Sequence, residues 1–429
     1  MSKSYDYCIV GGGIAGLSIA ETISRYDKSV LIIEKNKQLG LEASSKHQNW
    51  FHVGSLYAIL NNFKFMKFAF KNLEIIDKHY SSFFNNNLNL NNGKILFKNK
   101  GWFNKKKINY LVISRNNIFF RKFNFFTKLV KIISWELKIK KFIIRHNSLS
   151  KYDWSKNFSL INRNIFNYSK KKIKKGRIKN TKYNPNTHFL LEGFDTTMNS
   201  NLIMRDLFES YVNNNGELLI NNEVKSIKNK KIILKNGKII KAKKIILANS
   251  KSINEISKKN IVKTKISPIA IIKPSLNIQN FAKLSPDEND TLNHLNQTEN
   301  GDNISIIADG AYCDEKDLEN IKKNEELLKN KILNNINIKN HKIHVYSSHK
   351  TEFINDSKKR NYLFNIYEIN KSTISIIPGK FTFCFSLAYE FKNKYLKNES
   401  LLFTSKPKVK GVDTKIIAKN YYKRVYEKK

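Results

Sequence analysis

A run of glycines between two apolar strands does most to fix what this chain can fold into. Tyr5 to Val10 reads as a buried strand, Gly11-Gly12-Gly13-Ile14-Ala15-Gly16 follows, and Val30 to Ile33 delivers Glu34. This is the pattern of a dinucleotide-binding βαβ unit. Gly11 permits the tight turn, Gly13 lets the main chain approach a diphosphate, and Gly16 lets the next helix pack closely on the strand. That helix, from Ile14 to about Arg25, has an apolar side of Ala15, Leu17, Ile19, Ala20 and Ile23 and points its N-terminus at the phosphates. Glu34 stands at the second strand's end, where an acid accepts from a ribose diol and disfavours a 2′-phosphate, and with it NADP, although Lys35 and Lys37 follow. Glycine pairs alone make ordinary turns; the flanking strands and the spaced acid give these their meaning.

The 429 residues, 41% hydrophobic, can bury a substantial core and are expected to form two domains. The chain begins almost directly with its first strand, which leaves no room for a secretory signal, and no apolar run reaches bilayer length, so cytoplasmic residence is the expectation. Cys8, Cys313 and Cys384 are too scattered for a disulfide framework or a CxxC site. His341, His344 and His349 have a loose metal-like spacing, but alternation along a strand would not converge them and no carboxylate or cysteine pair completes a set, so no metal site is expected.

Net charge is +43, from 78 Lys and Arg against 35 Asp and Glu, which points to nucleic acid or an anionic membrane surface. A plainer explanation competes: Lys, Asn, Ile and Phe are abundant together, and all have AT-rich codons. The charge is also uneven, since Glu136 and Asp153 are the only acids from Lys94 to Lys182. Within that basic segment Phe119, Phe123, Phe126, Val130, Ile133 and Leu137 form an amphipathic helical stripe flanked by Arg121, Lys122, Lys128 and Lys131. It reads as a core-facing helix or, more sharply, as a membrane-surface helix. The lysine run from Ser169 to Arg177 reads as a solvated loop.

Further along, Gly193-Phe194-Asp195-Thr196 leads into a helical pattern through Leu202, Ile203, Leu207, Phe208 and Val212. Short strands follow at Leu218 to Ile220, Val224 to Ile227 and Lys231 to Leu234, with a hairpin turn at Asn236-Gly237. Lys244 to Ser250 is a buried strand ending in small residues, and the polar, acidic stretch from Ser285 to Glu325 reads as surface loop and helix. Tyr362 to Tyr367 and Thr373 to Ile377 pattern as strands, Pro378-Gly379-Lys380-Phe381-Thr382 opens a helix, and Asn398 to Lys429 reads as a peripheral basic tail.

Taken in order, these pieces resemble the D-amino-acid oxidase-like FAD-dependent oxidoreductases, the superfamily of glycine oxidase, sarcosine oxidase and L-2-hydroxyglutarate oxidase. The most specific part joins the glycine motif and acid to the run from Glu42 to Gly54, which is similar to the family's small-residue stretch beside the FAD diphosphate and flavin. The resemblance implies an α/β fold: a discontinuous, Rossmann-like FAD-binding domain of glutathione-reductase type with a sheet-plus-helix substrate domain. FAD-binding parts would be 1–75, 187–255 and 349–396, with a basic substrate or cap segment at 76–186, a substrate domain at 256–348 and a tail at 397–429. The implied FAD contacts are Gly11, Gly13, Ile14, Ala15, Gly16, Glu34 and Lys35, then Ser44 and Ser45 donating to phosphate or flavin oxygens, and Val224 holding the adenine through its backbone. Ala248 lies in the strand-end small-residue motif, where Ser250 departs from the family's closing glycine. Gly379, Lys380, Phe381 and Thr382 would face the flavin pyrimidine carbonyl.

For catalysis the resemblance implies His52 beside the flavin ring, orienting substrate or accepting its proton; a covalent flavin link through it, as in some relatives, is the other reading. Lys350 falls where several members place an arginine that holds a substrate carboxylate, with Arg360 as a second candidate. A lysine lacks the planar fork, and an exposed edge-strand lysine is the competing reading. The implied reaction is oxidation of a C–H bond next to an amine or hydroxyl, with hydride passing to flavin N5 and electrons leaving to oxygen or another acceptor. The implied partner is a small amine or hydroxy acid. The positive charge keeps two alternatives in view: a tRNA-modifying flavoenzyme, and a polyanion- or membrane-surface-binding protein built on a Rossmann scaffold.

Overall fold

The computed structural model describes residues 3–59, 63–91, 94–98, 100–113, 178, 181–182, 188–284, 291–299, 302–354, 361–402 and 412–427. Two large sheets carry these residues. In the first, β1 (Ser4–Val10) lies between β2 (Val30–Ile33) and the strand Ile239–Leu247, parallel to both. Glu217–Leu219 extends the sheet in parallel beyond β2, and Thr373–Ile377 extends it beyond Ile239–Leu247. The whole of β2 is buried, as expected of a parallel strand covered on both faces. Helix α1 (Ile14–Ser24) is buried at every residue because the helices Ser200–Asn213 and Cys384–Tyr395 pack against it. This explains the buried Glu21, whose carboxylate takes both Arg25 Nε at 2.7 Å and Nη2 at 3.1 Å and also Ser210 Oγ at 2.8 Å. A buried charge persists only when so paired.

The second sheet is mixed and nine-stranded, with Trp50–Phe51, His188–Met198, Phe103–Ile113 and Phe281–Leu284 along one side and Lys342–Phe353 laid along Val262–Lys273 at the other. Sheet membership redraws the expected division at several points. Residues 188–198 and 349–353 belong to this sheet, not to the nucleotide-binding one, and so do Trp50 and Phe51. The stretch expected as surface loop and helix, 285–325, contains two paired strands, Leu292–Glu299 and Asp302–Ala308, ahead of the helix Leu318–Asn335. His294 and Ser305 are buried there because their polar atoms find partners: His294 Nε2 meets Ser305 Oγ at 2.8 Å, and that hydroxyl donates to Asn296 at 2.9 Å.

The expected peripheral tail is also corrected. Leu39 N donates to Ile416 O, Ala418 N donates to Leu39 O, and Tyr422 is buried, so residues 413–427 form a strap across the loop after β2. Among the described residues no helix is long and apolar enough to cross a membrane. The stripe from Phe119 to Leu137, the lysine run at 169–177 and Arg360 lie outside the described residues.

Candidate active site

The glycine turn has no room for side chains. Gly11 has φ +108°, and a Cβ on it would stand 2.8 Å from the Ala248 carbonyl oxygen; one on Gly16 would stand 2.0 Å from the Gly11 carbonyl oxygen. The bare backbone therefore brings β1, α1 and the end of Ile239–Leu247 together. Gly13 caps α1, whose first turn holds no acid, and Ile14 N donates to Ser44 Oγ at 3.0 Å. A helix N-terminus flanked by a serine hydroxyl suits a diphosphate. Glu34 is buried at the end of β2, with Oε2 accepting from Gly12 N at 2.8 Å and Oε1 accepting from Asn36. Beside Gly11, both ends of the Asn249 amide are buried without a partner in the protein. A buried amide of that kind implies a ligand, and the donor set fits the adenine dinucleotide half of FAD.

Along the run from Ser44 to Gly54 the chain turns at Asn49, which has φ +57°, and enters the second sheet at Trp50. Asp195, on the paired strand, anchors the backbone from Val53 to Leu56. Its Oδ1 accepts from the amides of Val53 at 2.8 Å, Gly54 at 3.0 Å and Ser55 at 3.1 Å; its Oδ2 accepts from Tyr110 OH at 2.7 Å, Trp50 Nε1 at 3.3 Å and Leu56 N at 3.3 Å. Burial alone would raise this carboxyl's pKa, but the nearby His52 ring and the Tyr110 and Val53 donors outweigh it and hold the pKa below the usual carboxylate range.

His52 is buried between the Trp50 ring, stacked at 4.8 Å, and Tyr57. Its Nδ1 faces Asp195 Oδ2 at 3.8 Å, beyond hydrogen-bond reach, and Lys380 Nζ lies 3.2 Å from its Nε2. Burial, then the Lys380 charge, pushes its pKa down to about 4 against the pull of Asp195, with Lys350 adding in the same direction. His52 is thus neutral at physiological pH. His47 shares this condition: burial pushes it down to about 4, its ring lies 4.7 Å from that of Phe381, and its Nε2 is buried without a partner.

The loop Gly379 to Thr382 meets the same place. Gly379 has φ +68°, and its missing side chain would fall 2.2 Å from the Tyr362 carbonyl oxygen. Asn72 ties the loop down, donating to Thr382 O at 2.8 Å while its Oδ1 accepts from Ser386 N and Oγ at the start of the next helix.

The expected residues fall in two groups. Lys380 meets His52, Lys350 acts on the same ring through its charge, Phe381 lies against His47, and Gly11, Gly13, Ile14, Ala15, Gly16, Glu34, Ser44 and Ala248 gather around the start of α1. Lys35 is exposed, and Val224 is buried at the start of its hairpin strand. Ser45 turns away from the others: its Oγ donates to Leu41 O at 3.0 Å and accepts from Arg424 Nη2 at 2.8 Å. Ser250 has φ +53°, a conformation that favours glycine, and its Oγ lies 2.7 Å from Thr351 Oγ1. Asp195, His47, Asn249, Asn72 and Arg424 escaped the sequence reading. For Asp195 a signal existed, an acid set between Phe194 and Thr196 where the strand pattern runs on into a helix.

A glycine-turned diphosphate site on a parallel sheet, in a chain that also pairs a buried histidine with a lysine, suits an FAD-dependent oxidoreductase. Residues 6–89 match the family described as DAO, FAD dependent oxidoreductase. In fold the chain is similar to L-alpha-glycerophosphate oxidase from Mycoplasma pneumoniae, solved with FAD bound, at 13% identity and TM-score 0.60, covering 95% of this chain and 97% of that one. It is likewise similar to glycine oxidase from Geobacillus kaustophilus, at 10% identity and TM-score 0.56 over 95% and 100% of the two chains, and to L-amino acid deaminase from Proteus vulgaris, at 13% identity and TM-score 0.54 over 95% and 92%. Comparison with curated proteins gives no match. The match over residues 6–89 and the fold of the chain are those of FAD-dependent flavoenzymes, and the cofactor is FAD.

Proposed function

We propose that the protein oxidises a small anionic alcohol or amine at the C–H bond beside its hydroxyl or amino group. When bound, FAD supplies the two-electron acceptor and hands those electrons to dioxygen or another acceptor. Gly11, Gly13 and Gly16, with Ser44 and Glu34, would hold its nucleotide half, and Gly379 to Thr382 would meet the flavin. His52 takes the hydroxyl proton at Nε2: it is buried and neutral, and Asp195 stands on the far side of its ring to stabilise the imidazolium that forms. An amine arriving neutral needs no such base.

The observation that carries this reading is the pairing of His52 with Lys380 at 3.2 Å, a base and a cation placed together beside the cofactor loop. Lys380, with Lys350 acting on the same ring, favours a carboxylate or phosphate on the substrate. Glycerophosphate, for which the Mycoplasma pneumoniae oxidase is named, carries a hydroxyl and a phosphate together and is the first compound to try. The scattered cysteines, none of them paired, agree with a cytoplasmic enzyme. Anaerobic bleaching of the bound flavin by a panel of hydroxy acids, amino acids and glycerophosphate tests the reading. His52→Ala should retain FAD yet lose bleaching by hydroxyl substrates by about a hundredfold or more, the lower range for a general base; unchanged bleaching would remove His52 from the reaction.

A further inference from the structure

In the resting geometry His52 cannot take a proton at Nε2. A lysine ammonium is a donor only, so at 3.2 Å Lys380 donates to Nε2 and the single ring proton of the neutral imidazole sits on Nδ1, toward Asp195. The remaining faces of His52 offer no other place for a substrate proton: Trp50 stacks on one side, Tyr57 lies at 5.4 Å, and Asp195 is already engaged by Tyr110 and the amides of 53–56. Lys380 sits 4.7 Å from the Tyr362 ring centroid and 5.7 Å from that of Tyr57. A desolvated carboxylate or phosphate attracts an ammonium more strongly than a neutral imidazole does, so a substrate anion competes with Nε2 for Lys380.

We propose that Lys380 is a substrate-operated switch on His52: an anionic group of the substrate draws the ammonium away from Nε2, and only then can Nε2 accept the substrate's hydroxyl proton. The inference rests on His52 being the base. It names the substrate class, an alcohol carrying a carboxylate or phosphate, and it makes the charge a condition of turnover as well as of binding. The proton leaves the substrate oxygen for Nε2, and the hydrogen and electron pair of the adjacent C–H bond would go to the two-electron acceptor that FAD supplies when bound. A neutral alcohol of the same shape leaves Lys380 on His52 and is turned over slowly even at saturation.

The groups acting on His52 are Lys380, Lys350 and Asp195 with its donor Tyr110, so withdrawing one cation into an ion pair raises the proton affinity of the ring. Histidine nitrogen NMR on the full-length, FAD-loaded protein reads tautomer and titration directly, with His52 assigned from His52→Gln. At constant ionic strength the free protein should show the Nδ1–H tautomer, and acetate or inorganic phosphate should raise the proton affinity of His52 by about tenfold or more, one pKa unit. Lys380→Met should have that raised affinity without anion and no further response, while Lys380→Arg should keep the response. Absence of an anion response in the wild-type protein, or a full response in Lys380→Met, overturns the switch. If the response is absent while His52→Ala still loses turnover, the base stands and the switch falls; if His52→Ala keeps turnover, both fall.

Discussion

Gly16 lies where α1 crosses the turn from β1, and a methyl group there would meet the Gly11 carbonyl oxygen at 2.0 Å. Backbone cannot swing aside as a side chain can, so Gly16→Ala must displace the turn itself, at a cost of roughly 1–3 kcal/mol typical of overpacking. The expected outcome is loss of FAD retention through gel filtration; stoichiometric cofactor in the variant would show that the turn tolerates the shift. Asp195 presents the opposite problem, one carboxylate serving six donors. Asp195→Asn keeps the shape but replaces one acceptor oxygen with a donor, leaving buried amides unpaired at a cost on the order of 3 kcal/mol. A urea midpoint unchanged from wild type would mean that Asp195 does not hold the backbone from Val53 to Leu56 in place.

The elements that carry the cofactor are those whose chemistry is local. A strand buried on both faces, a glycine turn and an acid after the second strand are written within the stretch from Tyr5 to Glu34, so β1, α1 and β2 are readable without tertiary knowledge. Trp50–Phe51, His188–Met198 and Leu292–Glu299 were not readable as members of one sheet. Their pairing is long-range, and their polar side chains look solvent-facing until the partners that satisfy them are known. The C-terminal strap is the same lesson in reverse: a basic, polar segment looks peripheral, yet Arg424 reaches the Ser45 hydroxyl and the Leu41 carbonyl. Removing residues 412–429 should therefore loosen the loop from 39 to 46 and weaken FAD binding about tenfold, the worth of one or two charge-assisted hydrogen bonds. Flavin fluorescence titration checks this, and an unchanged dissociation constant would make the strap irrelevant to the cofactor.

For the molecule as a whole, acid is the sensitive direction. His52 and His294, on different parts of the second sheet's domain, are both pushed down to about 4, each chiefly by burial. The unfolded chain binds these protons near the ordinary histidine pKa of about 6.5 while the folded protein does not, so their stabilisation is full above that value and is lost as pH falls toward 4. Urea midpoints should drop between about pH 7 and pH 5, by on the order of 1 kcal/mol of stability per histidine per pH unit. In His294→Gln the drop should be shallower, and a slope equal to wild type would exclude His294 as a contributor.

The glycine turn, Ser44, Glu34 and the buried Asn249 amide fit the nucleotide half of one FAD, and the proposed roles of His52 and Lys380 depend on that cofactor. The visible absorption spectrum of the purified full-length protein, incubated with FAD and freed of excess cofactor, reads it without further assumption. Flavin absorption should be stoichiometric with protein; a preparation that stays colourless would contradict the assignment.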